Sequence, residues 1–362
     1  MTGARRILIV RLGAIGDVVR TLPVLAPLRR IFPDASISWI AEEGPASLLS
    51  GHALLDEVIV LPRQILSREI TEPSTFFPAL FDVCDIASGL RSRRFDIALD
   101  FHGTLKSGVV SKASGAPVRW GYDPPGSKEG NRFFNNRHVA LLNPRVNRIE
   151  RNLVLVRALA ESEQSTVGPI PTAGPEAVGL PITPANRLEV DQWLSTLGIP
   201  DDCRRIVVYP GTSARQAYKR YPTADLARVT GQLTRTRSIA VIVAGGPGEE
   251  DLVHEVQSGG SPERTFRAPA LSLLELAELI RRSDLFIGPD TGPMHMAWAV
   301  GTRVLALFGA TDPVLNAPWG EDHAVLYNGA PGRHHPEWSP PDEVVRVARC
   351  MIGSDRGRSG NS

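Results

Sequence analysis

Cysteine is scarce: the 362 residues hold only Cys84, Cys203 and Cys350, with no two at CxxC spacing. That argues against a structural zinc site or a disulfide framework and suits a reducing compartment. Long apolar runs are also missing. No stretch reaches the roughly 18 residues that a membrane span requires. The apolar run Ile7 to Val10 is short and has no small-residue cleavage site after it, so no signal peptide is expected. Peripheral contact with a membrane stays open. Net charge is nearly absent, with 40 Lys and Arg against 39 Asp and Glu. The near balance removes any global case for nucleic acid, so electrostatic arguments must be local. There is no DxD pair to hold a divalent ion, and His334 and His335 lie in a Pro/Gly-rich loop without spaced acidic or Cys neighbours. Neither a metal nor a cofactor is expected.

What the chain has is alternation. "RRILIVRLG", "ASISWIAEE", "LDEVIVLP" and "FDIALDFHG" are short runs rich in Ile and Val, with helix-like "VLAPLRRIF" and "GTLKSGVVSKASG" among them. This predicts an α/β fold with a parallel sheet covered on both faces. A second series begins at "RRIVVYPG" (204–211) and runs through "SIAVIVAGGPG", "SDLFIGPD" and "RVLALFGA". The length exceeds what one core usually holds. The expected plan is a Rossmann-like domain over 1–160, a Pro/Gly/Ser/Thr-rich linker over 161–186 and a second Rossmann-like domain over 187–338. A helix over 339–353, opened by Pro and closed by Gly, and a disordered tail over 354–362 complete it. Residues 64–90 would suit a mobile lid, although an ordinary surface excursion is the simpler reading.

The stretch "LFIGPDTGPMHMAWAVG" (285–301) carries the most chemistry. A strand ends near Gly288, the turn Asp290-Thr291-Gly292 follows, and Pro293 fits the start of a helix. Free N–H groups near Met294 and His295 would there receive a pyrophosphate. Thr291 adds a hydroxyl, Gly292 permits close approach, and His295 is a further donor. A plainly capped helix would account for Asp290 and Thr291 equally well. In "PGTSARQAYKRYP" (210–222), Lys219 can neutralise a leaving phosphate, unless Lys219 and Arg220 are merely solvated. In "VAGGPGEEDL" (243–252), Glu249 or Glu250 can bind ribose hydroxyls, unless they only suit a helix's first turn.

"RLGAIGDVVRTLP" (11–23) has the layout of a phosphate loop but places Asp17 at its mouth, where a phosphate would be repelled. Gly13 and Gly16 leave this turn open to close approach by a substrate, which makes Gly16 an acceptor-binding candidate. The cations of "SKEGNRFFNNRH" (127–138), namely Lys128, Arg132 and Arg137, and Lys106 before them suit an anionic acceptor. Each alone reads equally well as a surface charge.

Taken in order, "RRILIVRLGAIGDVVRTLPVLAPLRRIFPDASISWIAE", "FDIALDFHGTLKS", "YPGTSARQAYKRYP", "AGGPGEEDL" and "PDTGPMHMAWAVGTRVLALFGATDP" resemble glycosyltransferase family 9, over roughly residues 5 to 320. The family is typified by the ADP-heptose:lipopolysaccharide heptosyltransferases. The resemblance implies a GT-B fold, with two Rossmann-like domains facing a cleft and a last helix crossing back to the first. It implies inverting, metal-independent transfer from a nucleotide-sugar donor, ADP-heptose, to an anionic glycolipid acceptor in the cytoplasm, at or near the inner membrane. Position by position, Asp17 falls on the general base and Lys219 on the donor-phosphate lysine. Asp290, Thr291, Gly292 and His295 fall on the donor motif, Lys106 on a basic position near the acceptor, and Glu249 on the ribose-binding glutamate. Arg303 and Tyr221 depart from the family's proline and tryptophan, and 64–90 and 121–138 match loosely, which leaves sugar and acceptor open.

Other readings are another nucleotide sugar or acceptor within the family, and a nucleotide-sugar-binding protein without turnover. A nicotinamide-dependent oxidoreductase is weaker, because "GAIGD" replaces G-x-G-x-x-G after the first strand.

Overall fold

The computed structural model describes residues 4–62, 85–165, 178–329 and 337–353. The chain divides into two compact units, Met1–Pro171 and Thr172–Ser362. Each is built on one parallel six-stranded sheet. In the first unit the strands are β1 (Arg6–Val10), β2 (Ser36–Glu42), β3 (Glu57–Leu61), β4 (Ile97–Asp100), β5 (Val118–Tyr122) and β6 (Arg137–Val139), ordered β3-β2-β1-β4-β5-β6. In the second they are β7 (Arg204–Val208), β8 (Ile239–Val243), β9 (Thr265–Arg267), β10 (Leu285–Pro289), β11 (Arg303–Phe308) and β12 (Ala324–Tyr327), ordered β12-β11-β10-β7-β8-β9. Renumbered within its own unit, each sheet reads 3-2-1-4-5-6, the doubly wound order of dinucleotide-binding folds.

In such a sheet the order reverses between two central strands, and ligands bind outside their carboxyl ends. Those strands are β1 and β4 in the first unit, where Val10 lies opposite Asp100. In the second they are β7 and β10, where Val208 lies opposite Ile287. The central strands are apolar along their length because helices cover both faces; every residue of β8 and β10 is buried. Leu8, Val10, Ile40, Ala98 and Val110 share one core cluster, and Ile206, Val208, Val241, Ile287 and Leu305 share another.

Helix starts are fixed by side-chain caps. Thr104 and Ser107 form a capping box on the helix Leu105–Ala113, and Ser272 and Glu275 form one on the helix Leu273–Arg281. Asn147 caps the helix Arg148–Ser162, accepting a hydrogen bond from the Ile149 amide at 3.0 Å.

The last helix, Pro341–Gly353, begins and ends as its Pro and Gly predict. Its apolar stripe, Val344, Val345, Ala348 and Ile352, belongs to the core of the second unit. Burial of each Val or Ile there stabilises the packing by about 1.5–3 kcal/mol. The expected linker, 161–186, is helical at both ends: Arg148–Ser162 reaches into it and the helix Pro184–Thr196 begins within it. Most of 64–90, the centre of the linker, His334 and His335, and the tail 354–362 lie outside the described residues.

Candidate functional site

The switch point of the second unit gathers most of the donor-site candidates. Pro289 ends β10, Asp290 and Thr291 follow, and the helix Gly292–Ala299 starts at once with Pro293 in its first turn. Asp290 is buried. Its Oδ2 receives a hydrogen bond from Lys219 Nζ at 3.1 Å, and its Oδ1 lies 3.5 Å from His295 Nε2. Lys219 arrives from a short 3₁₀ segment, Ala214–Lys219, 71 positions earlier in the chain. Trp298 Nε1 donates to His295 Nδ1 at 3.3 Å. That contact leaves Nδ1 as the acceptor and assigns the ring proton to Nε2, the nitrogen facing Asp290.

Thr291 occupies the N-cap position, yet its buried Oγ1 has no hydrogen-bond partner among the described residues. The His295 amide, expected to be a free donor, bonds to the Thr291 carbonyl at 3.3 Å. The open donors of this helix start are therefore earlier in the first turn, where the helical ladder supplies no acceptor. Arg220, beside Lys219 in sequence, turns away. It donates to Thr212 Oγ1 at 3.0 Å and Thr212 O at 2.9 Å, and so fixes the loop after β7.

Glu249 sits over that loop. Its Oε2 accepts from the Gly246 amide at 2.7 Å. A Cβ placed on Gly211 would lie 1.9 Å from the same oxygen, so glycine at 211 is what allows the carboxylate its place. Tyr209 stands nearby; burial, and then the charge of Glu249, push its phenol above the ordinary range. Beyond Glu249, at the carboxyl ends of β8 and β9, a cavity of about 470 Å³ is lined by Trp193, Gly246, Pro247, Glu250 and Arg267. Its lining is spread along the chain, and only the "GGPGEE" segment marked it in the sequence.

The switch point of the first unit has a different content. Asp17 lies in the first turn of the helix Ile15–Val19. Arg11 Nη2 pairs with Asp17 Oδ2, and Arg20 Nη2 with Oδ1. Both arginines are buried, whereas the Asp17 side chain keeps 22% of its surface exposed and is reachable. Burial opposes ionisation of Asp17, but the charges of Arg11, Arg20 and Arg148 outweigh it and hold the carboxyl well below the usual range. His102, just past β4, is held neutral: burial first, then Arg11, push its imidazole down to about 3, against the opposing pull of Asp17.

The other acceptor-side candidates are scattered. Lys106 Nζ pairs with Glu42 Oε1 at 2.6 Å, beside the Gly13 turn. Gly16 is buried within its helix. Arg132 is exposed with a loose pairing to Asp123 at 3.7 Å, and Arg137 and Lys128 are exposed as well. The segment carrying them is tied to the site by the Lys128 amide, which donates to Gly103 O at 2.8 Å. Sequence reading passed over the helix Arg148–Ser162, whose Arg148 and Arg151 reach the same switch point. Among the described residues no group of three or more His, Cys, Asp or Glu side chains could hold a metal ion, and no helix is long and apolar enough to cross a membrane.

Comparison with known proteins places the chain. The model of glycosyltransferase family 9 (heptosyltransferase) matches residues 83–339. Lipopolysaccharide heptosyltransferase 3 of Escherichia coli is 26% identical over 320 residues, covering 87% of this chain and 86% of its own length. Lipopolysaccharide heptosyltransferase 1 of E. coli K12 is 24% identical over 323 residues, covering 88% and 92%. Among solved structures, a family 9 glycosyl transferase from Veillonella parvula superposes with a TM-score of 0.82 at 19% identity, covering 98% of this chain and 99% of that one. E. coli heptosyltransferase WaaC with ADP superposes at 0.73 and 22% identity, covering 96% and 99%.

Proposed function

Because the chain belongs to glycosyltransferase family 9 and has the GT-B fold, we propose that this glycosyltransferase moves a heptose from ADP-heptose to a lipopolysaccharide-core acceptor. Transfer proceeds with inversion and without a metal. One observation carries the donor assignment: Lys219 is drawn from 71 residues away onto Asp290, beside an unpartnered Thr291 hydroxyl at a helix start. A diphosphate there would meet an ammonium, a hydroxyl and the positive end of a helix dipole, the elements needed to stabilise a departing diphosphate without a metal. Glu249 then faces the ribose hydroxyls, and the cavity beyond it takes the nucleoside base. The name of WaaC, solved with ADP, supports this reading.

On the first unit, Asp17 accepts the proton of the acceptor hydroxyl. As the new bond to the anomeric carbon forms and the bond to the diphosphate oxygen breaks, the hydroxyl becomes acidic enough for even a weakly basic carboxylate to take its proton late. Lys106, Arg132 and Arg137 contribute charge toward an anionic, lipid-borne acceptor, which sets the reaction at the cytoplasmic face of the inner membrane. The test is incubation with ADP-heptose and a heptose-deficient core acceptor in excess chelator. ADP release with a product of inverted anomeric configuration is expected. Turnover only with added magnesium, or a product of retained configuration, would overturn the mechanism.

A further inference from the structure

At the second switch point β7, β10 and the loop after β8 meet around one side chain that the reading above does not use. Tyr209 is the first residue after β7. Its amide donates to Ile287 O at 2.9 Å, which carries the ladder one residue past the strand. Its ring stacks on Phe286 of β10, with centroids 6.5 Å and planes 24° apart. Such offset aromatic pairs hold both rings in place. The residue is buried as well. Backbone and ring are therefore fixed before any ligand enters.

The hydroxyl of that ring stands at Gly246. A Cβ on Gly246 would lie 3.1 Å from the Tyr209 hydroxyl and 3.5 Å from Glu249 Oε2, so phenol and carboxylate flank the same side of this glycine. Oε2 also accepts from the Gly246 amide at 2.7 Å. Burial, then the charge of Glu249 and a hydrogen bond to it, push the phenol above its ordinary range, against the opposing effect of the Gly246 amide. That is the behaviour of a hydroxyl that donates to a carboxylate.

A carboxylate held by one amide can still turn about its last torsion, which has only a broad preference of its own. A second donor arriving from another direction stops that turn. We propose that Tyr209 is a positioning residue for Glu249: its hydroxyl and the Gly246 amide together fix the plane of the carboxylate, so that the remaining lone pairs face the ribose diol of the donor nucleotide. The carboxylate is then oriented before the nucleotide arrives, and binding does not have to order it. This rests on the reading of Glu249 as the group that meets the ribose.

The experiment is calorimetry on the full chain, without turnover, using ADP and dideoxy-ADP, which lacks both ribose hydroxyls. The native chain should bind ADP about 10- to 100-fold tighter than dideoxy-ADP, the worth of charge-assisted contacts to the diol. Glu249→Ala should abolish that preference. Tyr209→Phe keeps the ring against Phe286 and removes only the hydroxyl. It should cut the preference about 3- to 10-fold while dideoxy-ADP binds as it does to the native chain. In the Glu249→Ala background, Tyr209→Phe should change neither affinity, because the group it positions is gone. A native chain that binds both nucleotides equally, or neither, would overturn the reading of Glu249 and the proposal with it. A native chain that discriminates, beside a Tyr209→Phe that discriminates as well or that weakens both nucleotides alike, would leave that reading standing and refute the role of Tyr209.

Discussion

The two units share one strand order and differ most at the place where that order makes a ligand site. At the second switch point the charges are matched before any substrate arrives: Asp290 is shared between Lys219 and His295, and Glu249 is seated on the Gly246 amide. At the first, Asp17 pairs with both Arg11 and Arg20 and also lies in the field of Arg148. The backbone supplies the same crevice twice, and the side chains decide what each will take. In the second unit one carboxylate is shared by a lysine and a histidine, whereas in the first one carboxylate is held by two buried arginines.

Asp17→Asn breaks this contrast most severely. If Asp17 is the base, kcat should fall about 10²- to 10⁴-fold, while ADP affinity by calorimetry stays within about threefold. The same change removes the negative charge that Arg11 and Arg20 share, so stability should fall by about 1–3 kcal/mol in a denaturant titration. Near-normal kcat would remove Asp17 from the chemistry. Lost ADP binding would dissolve the division between the units.

Lys219→Ala tests the matched site. ADP affinity should drop about 10- to 100-fold, because a charge-assisted contact to phosphate is lost. The fold should persist, since Lys219 is part of no core cluster. Unchanged affinity would move the diphosphate elsewhere.

His102 sharpens the comparison through pH. Burial, then Arg11, Lys106 and Arg151, hold it to about 3 in the folded chain against the opposing pull of Asp17, while the unfolded value is about 6.5. Between those values the unfolded chain binds the extra proton, so this contribution is intact above pH 6.5 and falls as pH drops toward 3. At pH 5 the loss is at most about 2 kcal/mol. His323 adds to the same trend. The readout is therefore the difference between the native chain and His102→Gln, whose stability should fall less from pH 7 to 5. Parallel curves would refute it. The smallest effect is expected from Arg132→Ala and Arg137→Ala. Both side chains are exposed, and the one pairing described for Arg132 is loose, so acceptor KM should rise no more than about threefold.

How much of this the sequence carried depends on distance along the chain. β1, β2, β4, β7, β8, β10 and β11 stood out as apolar runs because burial on both faces favours apolar residues, and β3 stood out as an Ile/Val run although only Leu61 of it is buried. β5, "VRWGY", is interrupted by Arg and Gly, and β6, β9 and β12 have only three or four residues each, so they left little pattern. The start of the helix Gly292–Ala299 was legible from Gly292 and Pro293, because the cap is local. The Lys219–Asp290 pair was not, nor the meeting of Arg11 with Arg151, because partners so far apart meet only through the sheet. The last helix announced its apolar stripe, but an apolar stripe does not name its partner.

The seat of Glu249 also constrains how this sequence can change over time. With Glu at 249, even alanine at 211 collides with a hydrogen-bonded carboxylate. With a shorter residue at 249 that particular collision is removed. The two positions therefore have a permitted order of replacement, 249 before 211. A lineage that has taken both steps meets the collision again on regaining the glutamate, and must then either restore glycine at 211 or move the carboxylate off the Gly246 amide.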